Sequence, residues 1–339
     1  MNIAVLGAGA WGTTLAILLV DNGHNVTLWE YKEDYSLILR QKRENITYLP
    51  GIPFPDKMKV TNDLAEACYR QDIIVLGVPT QFLRGVLVQL DKSAVKNTIF
   101  VSISKGIEIN TNLTVSCIIS NVFPFLSAGQ VGVISGPSHA EEVSRKIPTT
   151  VVAASKEVPT SRLIQSAFNT SYFRVYSSSD ILGVELGGAF KNVIAVGSGI
   201  IEGIGYGDNT KAALMTRGIA EISRLGIALG ACPETFSGLS GIGDLIVTCM
   251  SRHSRNRYVG EKIGGGMKLA EVLKGMTAVA EGVTTSKSAS DLARLHNIEA
   301  PITFEVYKIL FEDKDVKQAA NELMTRDIKV EYYNRYDFD

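Results

Sequence analysis

The first thirty residues confine the fold more tightly than any other stretch of the chain. Asn2 to Leu6 is a short apolar run, and Gly7-Ala8-Gly9-Ala10-Trp11-Gly12 follows at once. Residues 13–21 (TTLAILLVD) read as a helix closed by Asn22-Gly23, and Asn25 to Trp29 reads as a strand with Glu30 at its end. Strand, G-x-G-x-x-G, helix, strand and acid together form the dinucleotide-binding unit of a doubly wound α/β domain. Gly7 allows the tight turn, Gly9 lets a pyrophosphate approach the backbone, and Gly12 lets the helix pack close on the strand. The free N–H groups of the new helix face the phosphates. Glu30 stands where a carboxylate accepts from the adenosine ribose hydroxyls and repels a 2′-phosphate, which favours NAD over NADP. Lys32, two residues on, offsets part of that repulsion.

Downstream the α/β alternation continues. LPGIPFP at 49–55 reads as a proline-stiffened surface loop. Strands are expected at 59–61, 72–78, 98–102, 131–135, 149–154 and 172–175. Helices are expected at 63–70, 82–90, 112–123 and 162–168. DIIVLGV at 72–78 has the unbroken apolar character of a buried parallel strand. In an open α/β sheet the loops at the carboxyl ends of strands line the ligand crevice. Pro79, Thr80 and Lys105 fall on such loops, as does Gly136-Pro137-Ser138-His139-Ala140-Glu141. Ser138 and Glu141 have capping-box spacing, which starts a helix at His139.

After Asp180 the strand patterns stop. Helical periods occupy 181–202, 209–229, 233–238, 255–264, 267–274, 285–295 and 303–311, and glycine is dense from 183 to 266. The fold class is therefore a Rossmann-type α/β domain with a mostly parallel sheet at 1–180, followed by an all-helical domain at 181–339. A helix and then a loose tail are expected beyond residue 313.

The helix GVELGGAFKNVIAVGSGIIEGIG at 183–205 carries one lysine, Lys191, in an apolar stretch. On general grounds such a lysine snorkels to water. Gly187, Gly188 and Ala195 surround it, and the expectation here is that these small residues leave room for a ligand. GLSGIGDLIVTC at 238–249 reads as a loop entering an apolar helix, with Asp244 at the junction as a candidate N-cap. Arg252 and Arg255, with Ser254 and Asn256, form a basic turn suited to a phosphate or carboxylate. Met276 to Gly282 carries Glu281 in a flexible segment, a lid or a loop.

Composition narrows the partners. The net charge is −1 over 339 residues, so no basic field points to nucleic acid or an anionic membrane. The four cysteines are scattered without a C-x-x-C, and no histidine joins them at metal-ligand spacing, so no metal site is expected. Free thiols suit a reducing cytoplasm. No signal peptide is visible and no apolar run is long enough for membrane insertion.

Seven segments together carry a resemblance: GAGAWGT at 7–13, SKGIE at 104–108, SGPSHAEEV at 135–143, LGGAFKNVIAVGSG at 186–199, GLSGIGDLIVTC at 238–249, SRNR at 254–257 and AEG at 280–282. They resemble the bacterial NAD(P)-dependent glycerol-3-phosphate dehydrogenases over nearly the whole chain. The resemblance implies a cytoplasmic homodimer that interconverts dihydroxyacetone phosphate and sn-glycerol 3-phosphate, the latter for phospholipid synthesis. It makes Lys191 the catalytic acid/base, with Lys105 and Asp244 beside it. Gly136, Ser138, Asn192, Ser254, Arg255 and Asn256 would line the substrate pocket with Lys105, Lys191 and Asp244, Arg255 taking the phosphate. Ala10, Trp11, Lys105, Ala140, Arg255, Val279 and Glu281 would contact NAD or NADP alongside Gly7, Gly9, Gly12 and Glu30. Many relatives carry Ser at the position of Ala10, Thr-Phe at Ser138-His139, and no acid like Glu30. A 3-hydroxyacid or 6-phosphogluconate dehydrogenase would share the Lys-Asn pair, but SRNR and SGPSHAEE set this chain apart. A nucleotide sensor would need only the N-terminal fingerprint.

Overall fold

Alternation along the first strands sets the layering. In the computed structural model, which describes residues 1–328, 330 and 331, Ile3, Val5, Ile73 and Val75 pack into one apolar cluster. Their neighbours Ala4, Leu6, Ile74 and Leu76 pack into another. Successive side chains of a strand point to opposite faces, so two clusters mean a sheet buried on both sides.

The strands are Asn2–Leu6 (β1), Asn25–Trp29 (β2), Glu44–Asn45 (β3), Leu49–Pro53 (β4), Lys59–Thr61 (β5), Ile73–Leu76 (β6), Ile99–Ser102 (β7), Val131–Ser135 (β8), Thr149–Ser155 (β9) and Phe173–Ser178 (β10). Eight of them form one sheet in the order β10-β9-β8-β7-β6-β1-β2-β5. Every pairing in it is parallel except β8 with β9. From β1 the chain passes to β2 on one side and later to β6 on the other, which opens a crevice at the carboxyl ends.

The helices threaded through this sheet are Ala10–Asp21 (α1), Glu33–Lys42 (α2), Leu64–Cys68 (α3), Thr80–Leu87 (α4), Val115–Val122 (α5), Ala140–Val143 (α6) and Val158–Phe168 (α7). After β10 the described residues form helices alone: Ile181–Gly203 (α8), Asp208–Ala228 (α9), Pro233–Phe236 (α10), Asp244–Met250 (α11), Arg255–Gly264 (α12), Leu269–Lys274 (α13), Glu281–Leu295 (α14), Pro301–Phe311 (α15) and Val316–Met324 (α16). α16 is the helix expected after 313, and the expected tail at 329 and 332–339 lies outside the described residues.

Several local expectations fail for identifiable reasons. The proline-rich segment 49–55 is not merely a loop, because its first five residues are β4, paired antiparallel with β3. The two prolines of β4 are tolerated in this two-stranded ribbon, where no central ladder needs their missing N–H. α2 was given no element by the sequence pattern. The capping box at Ser138 and Glu141 does not form: His139 is the N-cap of α6, and the Ser138 hydroxyl donates to Gly136 O at 3.1 Å. α14 begins at Glu281, four residues earlier than its apolar period.

α8 is the axis of the helical region. By length and composition it could cross a membrane, yet its apolar stretch is wholly buried inside the protein. Two carboxylates, a half-buried Asp180 and a buried Glu185, fasten its start. Asp180 accepts from Gly183 N at 2.9 Å and Thr235 Oγ1 at 2.6 Å. Glu185 accepts from the backbone and hydroxyl of Ser116 at 2.7 and 2.6 Å, tying α8 to α5 beneath the sheet.

The dense glycines explain how α8 and α12 meet. A Cβ at Gly199 would stand 2.0 Å from Arg257 O, one at Gly260 2.0 Å from Val196 O, and one at Gly264 2.4 Å from Ile200 O. The two backbones touch, and no side chain fits between them. Gly260→Ala is therefore expected to force the helices apart at a cost of about 1–3 kcal/mol. A thermal unfolding midpoint equal to that of the parent would refute this packing.

Candidate active site

The loops after β7 and β8 face the first half of α8. Gly188 marks the approach, since a Cβ there would lie 2.7 Å from Ser135 Oγ and 3.6 Å from Lys105 Cγ. Gly187 is pressed against the chain before α11, where a Cβ would meet Ser240 O at 2.6 Å. Ala195 is fully buried. Gly187 therefore serves close backbone packing and does not open the ligand space that the sequence suggested, whereas Gly188 borders Ser135 and Lys105 at the crevice.

Lys191 does not snorkel. It is 5% exposed, and its Nζ donates to Asp244 Oδ1 at 2.8 Å and Thr248 Oγ1 at 2.6 Å. Lys105, on the loop after β7, donates from Nζ to Asp244 Oδ2 at 2.6 Å and to Gly136 O at 3.0 Å. One buried carboxylate thus bridges two ammonium groups, one from each part of the chain. Asp244 is not the helix cap the sequence allowed. It is the first residue of α11, whose N-cap is Gly243, and its carboxylate is spent on the lysines. The segment before it, Leu239–Gly243, is a π-type turn broken at Gly241, not an open loop.

Burial drives the Lys191 ammonium down to about 8, with Asp244 pulling it up and Lys105 pushing it down again. Burial works to raise Asp244, but the two neighbouring ammonium groups and their hydrogen bonds outweigh it and hold the carboxyl below its usual range. Burial, aided by Lys191 and Lys105, also lowers His139. His253, to which the sequence assigned no partner, lies with its ring 5.8 Å from that of His139 and its Nδ1 3.9 Å from Glu141.

Thr248 was missed by sequence reading. Its hydroxyl donates to Asp244 O at 2.6 Å, which leaves its lone pairs facing Lys191. Its spacing four residues after Asp244, on one helix face, was the available signal.

Beside this cluster Asn192 Nδ2 donates to Lys105 O at 3.1 Å and to Gly188 O at 3.3 Å. Asn256 Nδ2 donates to Asn192 Oδ1 at 2.8 Å, and Asn256 Oδ1 accepts from Gly282 N at 2.9 Å. Ser254 caps α12 by accepting from Arg257 N at 3.2 Å. Arg255 opens α12, is solvent-accessible, and makes no hydrogen bond or close ion pair among the described residues. Arg257, the second arginine of SRNR, is turned away: it donates to Ser251 O and pairs with Glu202.

At the nucleotide end, Gly7 holds φ +110°, and a Cβ there would stand 2.8 Å from the Gly77 backbone. A Cβ at Gly12 would lie 2.1 Å from Gly7 O, while one at Gly9 would meet nothing within 4 Å. Gly9 is the N-cap of α1 and supplies no side-chain cap, so the first N–H groups, including those of Ala10 and Trp11, remain for an anion. This geometry fits a dinucleotide pyrophosphate. Glu30 directly follows β2, is buried, and accepts from Lys32 N at 3.1 Å. Ala140 opens α6 and its carbonyl accepts from Thr14 of α1. Glu281 accepts Thr80 N at 2.9 Å, with its second oxygen buried and unpartnered, and Val279 is exposed nearby in sequence.

A Gly-rich dinucleotide cradle facing a buried lysine–aspartate–lysine cluster defines a nicotinamide-dependent oxidoreductase. The family models for the N-terminus and C-terminus of NAD-dependent glycerol-3-phosphate dehydrogenase match residues 2–160 and 180–321. The chain belongs to that family. It is 52% identical to a glycerol-3-phosphate dehydrogenase (NAD(P)+) of Chlorobium phaeobacteroides, over 98% of this chain and the whole of the relative. It is 51% identical to the Geobacter sulfurreducens enzyme of the same name, over 97% of this chain and 98% of that one. The crystal structure of glycerol-3-phosphate dehydrogenase from Coxiella burnetii superposes with a TM-score of 0.89 at 37% identity, covering 96% of this chain and 99% of that one.

Lys191 is expected to release its proton near pH 8, well below a free lysine. NMR titration of labelled lysine measures it. Asp244→Asn removes the attraction while Lys105 remains, so the titration is expected to move lower. A Lys191 titrating near 10.4 would reject the buried, lysine-flanked environment.

Proposed function

We propose that this protein is an NAD(P)-dependent sn-glycerol-3-phosphate dehydrogenase whose acid/base is Lys191. The observation that carries the reading is the Lys191 ammonium, softened by burial and held by Asp244 at the carboxyl edge of a nucleotide-binding sheet. A bound nicotinamide dinucleotide supplies or accepts the hydride. As negative charge develops on the carbonyl oxygen of dihydroxyacetone phosphate, Lys191 stabilises it and donates a proton to that oxygen. In the reverse direction the neutral amine takes the hydroxyl proton of glycerol 3-phosphate. A group titrating near 8 serves both directions: reduction is sustained below that pH and oxidation above it. Asp244 and Thr248 fix the direction of the lysine, and Lys105 adds a second positive charge at the reacting oxygen.

Two ammonium groups against one carboxylate leave the pocket positive, which suits a phosphorylated substrate. In this reading Gly136, Ser138 and Ser254 line the substrate pocket. Arg255, with its guanidinium unspent, binds the phosphate and supplies remote binding energy for positioning. Ala140, Val279 and Glu281 border the dinucleotide. Residues 1–180 act as the dinucleotide domain and 181–339 as the substrate domain. The reading extends to a cytoplasmic homodimer that supplies glycerol 3-phosphate for phospholipid synthesis.

The test is oxidation of NADH by dihydroxyacetone phosphate, against 3-hydroxyacids and 6-phosphogluconate as rivals. Arg255→Ala is expected to lower kcat/KM for dihydroxyacetone phosphate by about 100-fold, on the scale of a lost charge-assisted contact of roughly 3 kcal/mol, and to leave unphosphorylated dihydroxyacetone nearly unaffected. Equal losses on both substrates would remove Arg255 from the phosphate site.

The same reading makes NADH the preferred cofactor, because the Glu30 carboxyl sits at the end of β2 where a 2′-phosphate would come. Glu30→Ala is expected to raise kcat/KM for NADPH relative to NADH by about tenfold, on the scale of roughly 1.4 kcal/mol of relieved repulsion. An unchanged ratio would place cofactor choice elsewhere.

A further inference from the structure

The β3–β4 ribbon is inserted between α2 and β5, and one side chain ties it to the nucleotide cradle. Asn45, in β3, is fully buried. Its Nδ2 donates to Ala8 O at 2.8 Å and to Thr13 Oγ1 at 2.7 Å. Its Oδ1 accepts from Tyr35 OH at 2.6 Å and from Tyr48 N at 3.1 Å. Both N–H groups and both lone-pair sites of the amide are thus used. Ala8 O can only accept and Tyr48 N can only donate, so the amide has one orientation. Around it, Tyr35 OH accepts from Thr47 N at 3.2 Å, and the Tyr35 and Tyr48 rings meet edge to face at 5.8 Å. Arg43, where α2 ends, donates to Met58 O at 2.9 Å and to Pro55 O at 2.6 Å, which holds the chain beyond β4.

We propose that Asn45 is a positioning residue for the dinucleotide: its amide holds the Ala8–Gly9 peptide and the first turn of α1 in their phosphate-binding arrangement. Ala8 lies between Gly7 and Gly9, and Thr13 is the fourth residue of α1. A peptide unit is planar and trans, so the Gly9 N–H points opposite to the Ala8 carbonyl. Fixing Ala8 O on Asn45 therefore fixes the direction of the Gly9 N–H. That is the place where the backbone is open to a ligand, since a Cβ at Gly9 would meet nothing within 4 Å. The flanking glycines let the turn form, but the same freedom lets the peptide between them rotate. A buried donor on its carbonyl removes that freedom, and losing the donor leaves Ala8 O and Thr13 Oγ1 short of a partner in the interior. The clamp comes from a ribbon outside the strand–turn–helix unit, 37 residues after Ala8. The proposal concerns cofactor binding and rests on the dehydrogenase reading above only where turnover is measured.

The experiment titrates NADH and ADP-ribose into the parent and into Asn45→Ala, and measures turnover of dihydroxyacetone phosphate at saturating NADH. Asn45→Ala is expected to raise the Kd for NADH by about 10-fold, the scale of one buried hydrogen bond. ADP-ribose, which shares the pyrophosphate and lacks the nicotinamide, is expected to lose the same factor. Once NADH saturates, kcat and KM for dihydroxyacetone phosphate are expected to stay near those of the parent. A merely structural role would lower the active fraction, and so kcat, without moving Kd. That result would overturn the proposal, as would an unchanged Kd for NADH. A loss seen with NADH but absent with ADP-ribose would also overturn it, because the defect would then lie at the nicotinamide end. If Asn45→Ala does not fold, Asn45→Asp carries the same comparison. It keeps the size of the side chain and the acceptor for Tyr35 OH and Tyr48 N, and it sets an oxygen against Ala8 O. Parent-like NADH affinity in that variant would equally reject the clamp. Failure of the parent to reduce dihydroxyacetone phosphate would strike the function reading and leave both titrations standing as the test of Asn45.

Discussion

Asp244 sits between two ammonium groups in a site almost closed to water, and the rest of the structure is arranged around that fact. A buried carboxylate is costly alone, and a buried ammonium is costly alone. Here each makes the other tolerable, because both Asp244 oxygens are engaged and Lys191 has Thr248 as a second acceptor. The three charged residues come from the loop after β7, from α8 and from α11. None is near another in sequence, so the ion cluster exists only if the sheet edge and the helical domain hold their relative positions. The balance of charge also sets the chemistry. Burial lowers Lys191, Asp244 limits that fall, and the outcome is a group able to give and take a proton near neutral pH.

Holding those positions is the work of glycine. In an isolated helix each glycine costs roughly 1 kcal/mol relative to alanine, and α8 contains several. The contacts they permit explain why they are tolerated. α8 touches α12 backbone to backbone, touches the turn before α11 at Gly187, and touches the sheet edge at Gly188. Lys191 and Asn192 lie about one helical turn after Gly187 and Gly188, so the residues that bring the elements together also place the buried lysine. Asn256 then reaches Asn192 because α12 lies so close, and Gly282 fits against both because it too has no side chain.

The misreadings of the sequence have physical origins. Asp244 and Ser138 both have local patterns that suit helix capping, and both spend their polar groups elsewhere. Asp244 finds two lysines, and Ser138 finds Gly136 O. For Asp244 a tertiary partner of opposite charge in a low-dielectric site outweighs the local cap, whereas Ser138 takes a carbonyl two residues back in its own turn. Lys191 follows the same logic in reverse. Its apolar surroundings suggested escape to water, but an aspartate 53 residues away made burial tolerable. The prolines of 49–55 suggested a loop because the pairing with β3 depends on a short ribbon whose partner strand is only two residues long.

The sequence by itself determined the dinucleotide cradle, since strand, turn and helix are adjacent in the chain and each glycine answers a local steric demand. It also determined the change from an alternating α/β pattern to helical periods, because periodicity is a property of neighbouring residues. Through the match of its motifs it singled out Lys191. Only the tertiary structure decided what that lysine is bonded to, that Thr248 stands behind it, that Gly187 serves contact and not space, and that the two asparagines face each other. Those are relations between residues far apart in the chain. They are set by which backbones can approach within van der Waals distance, and a one-dimensional pattern does not contain that information.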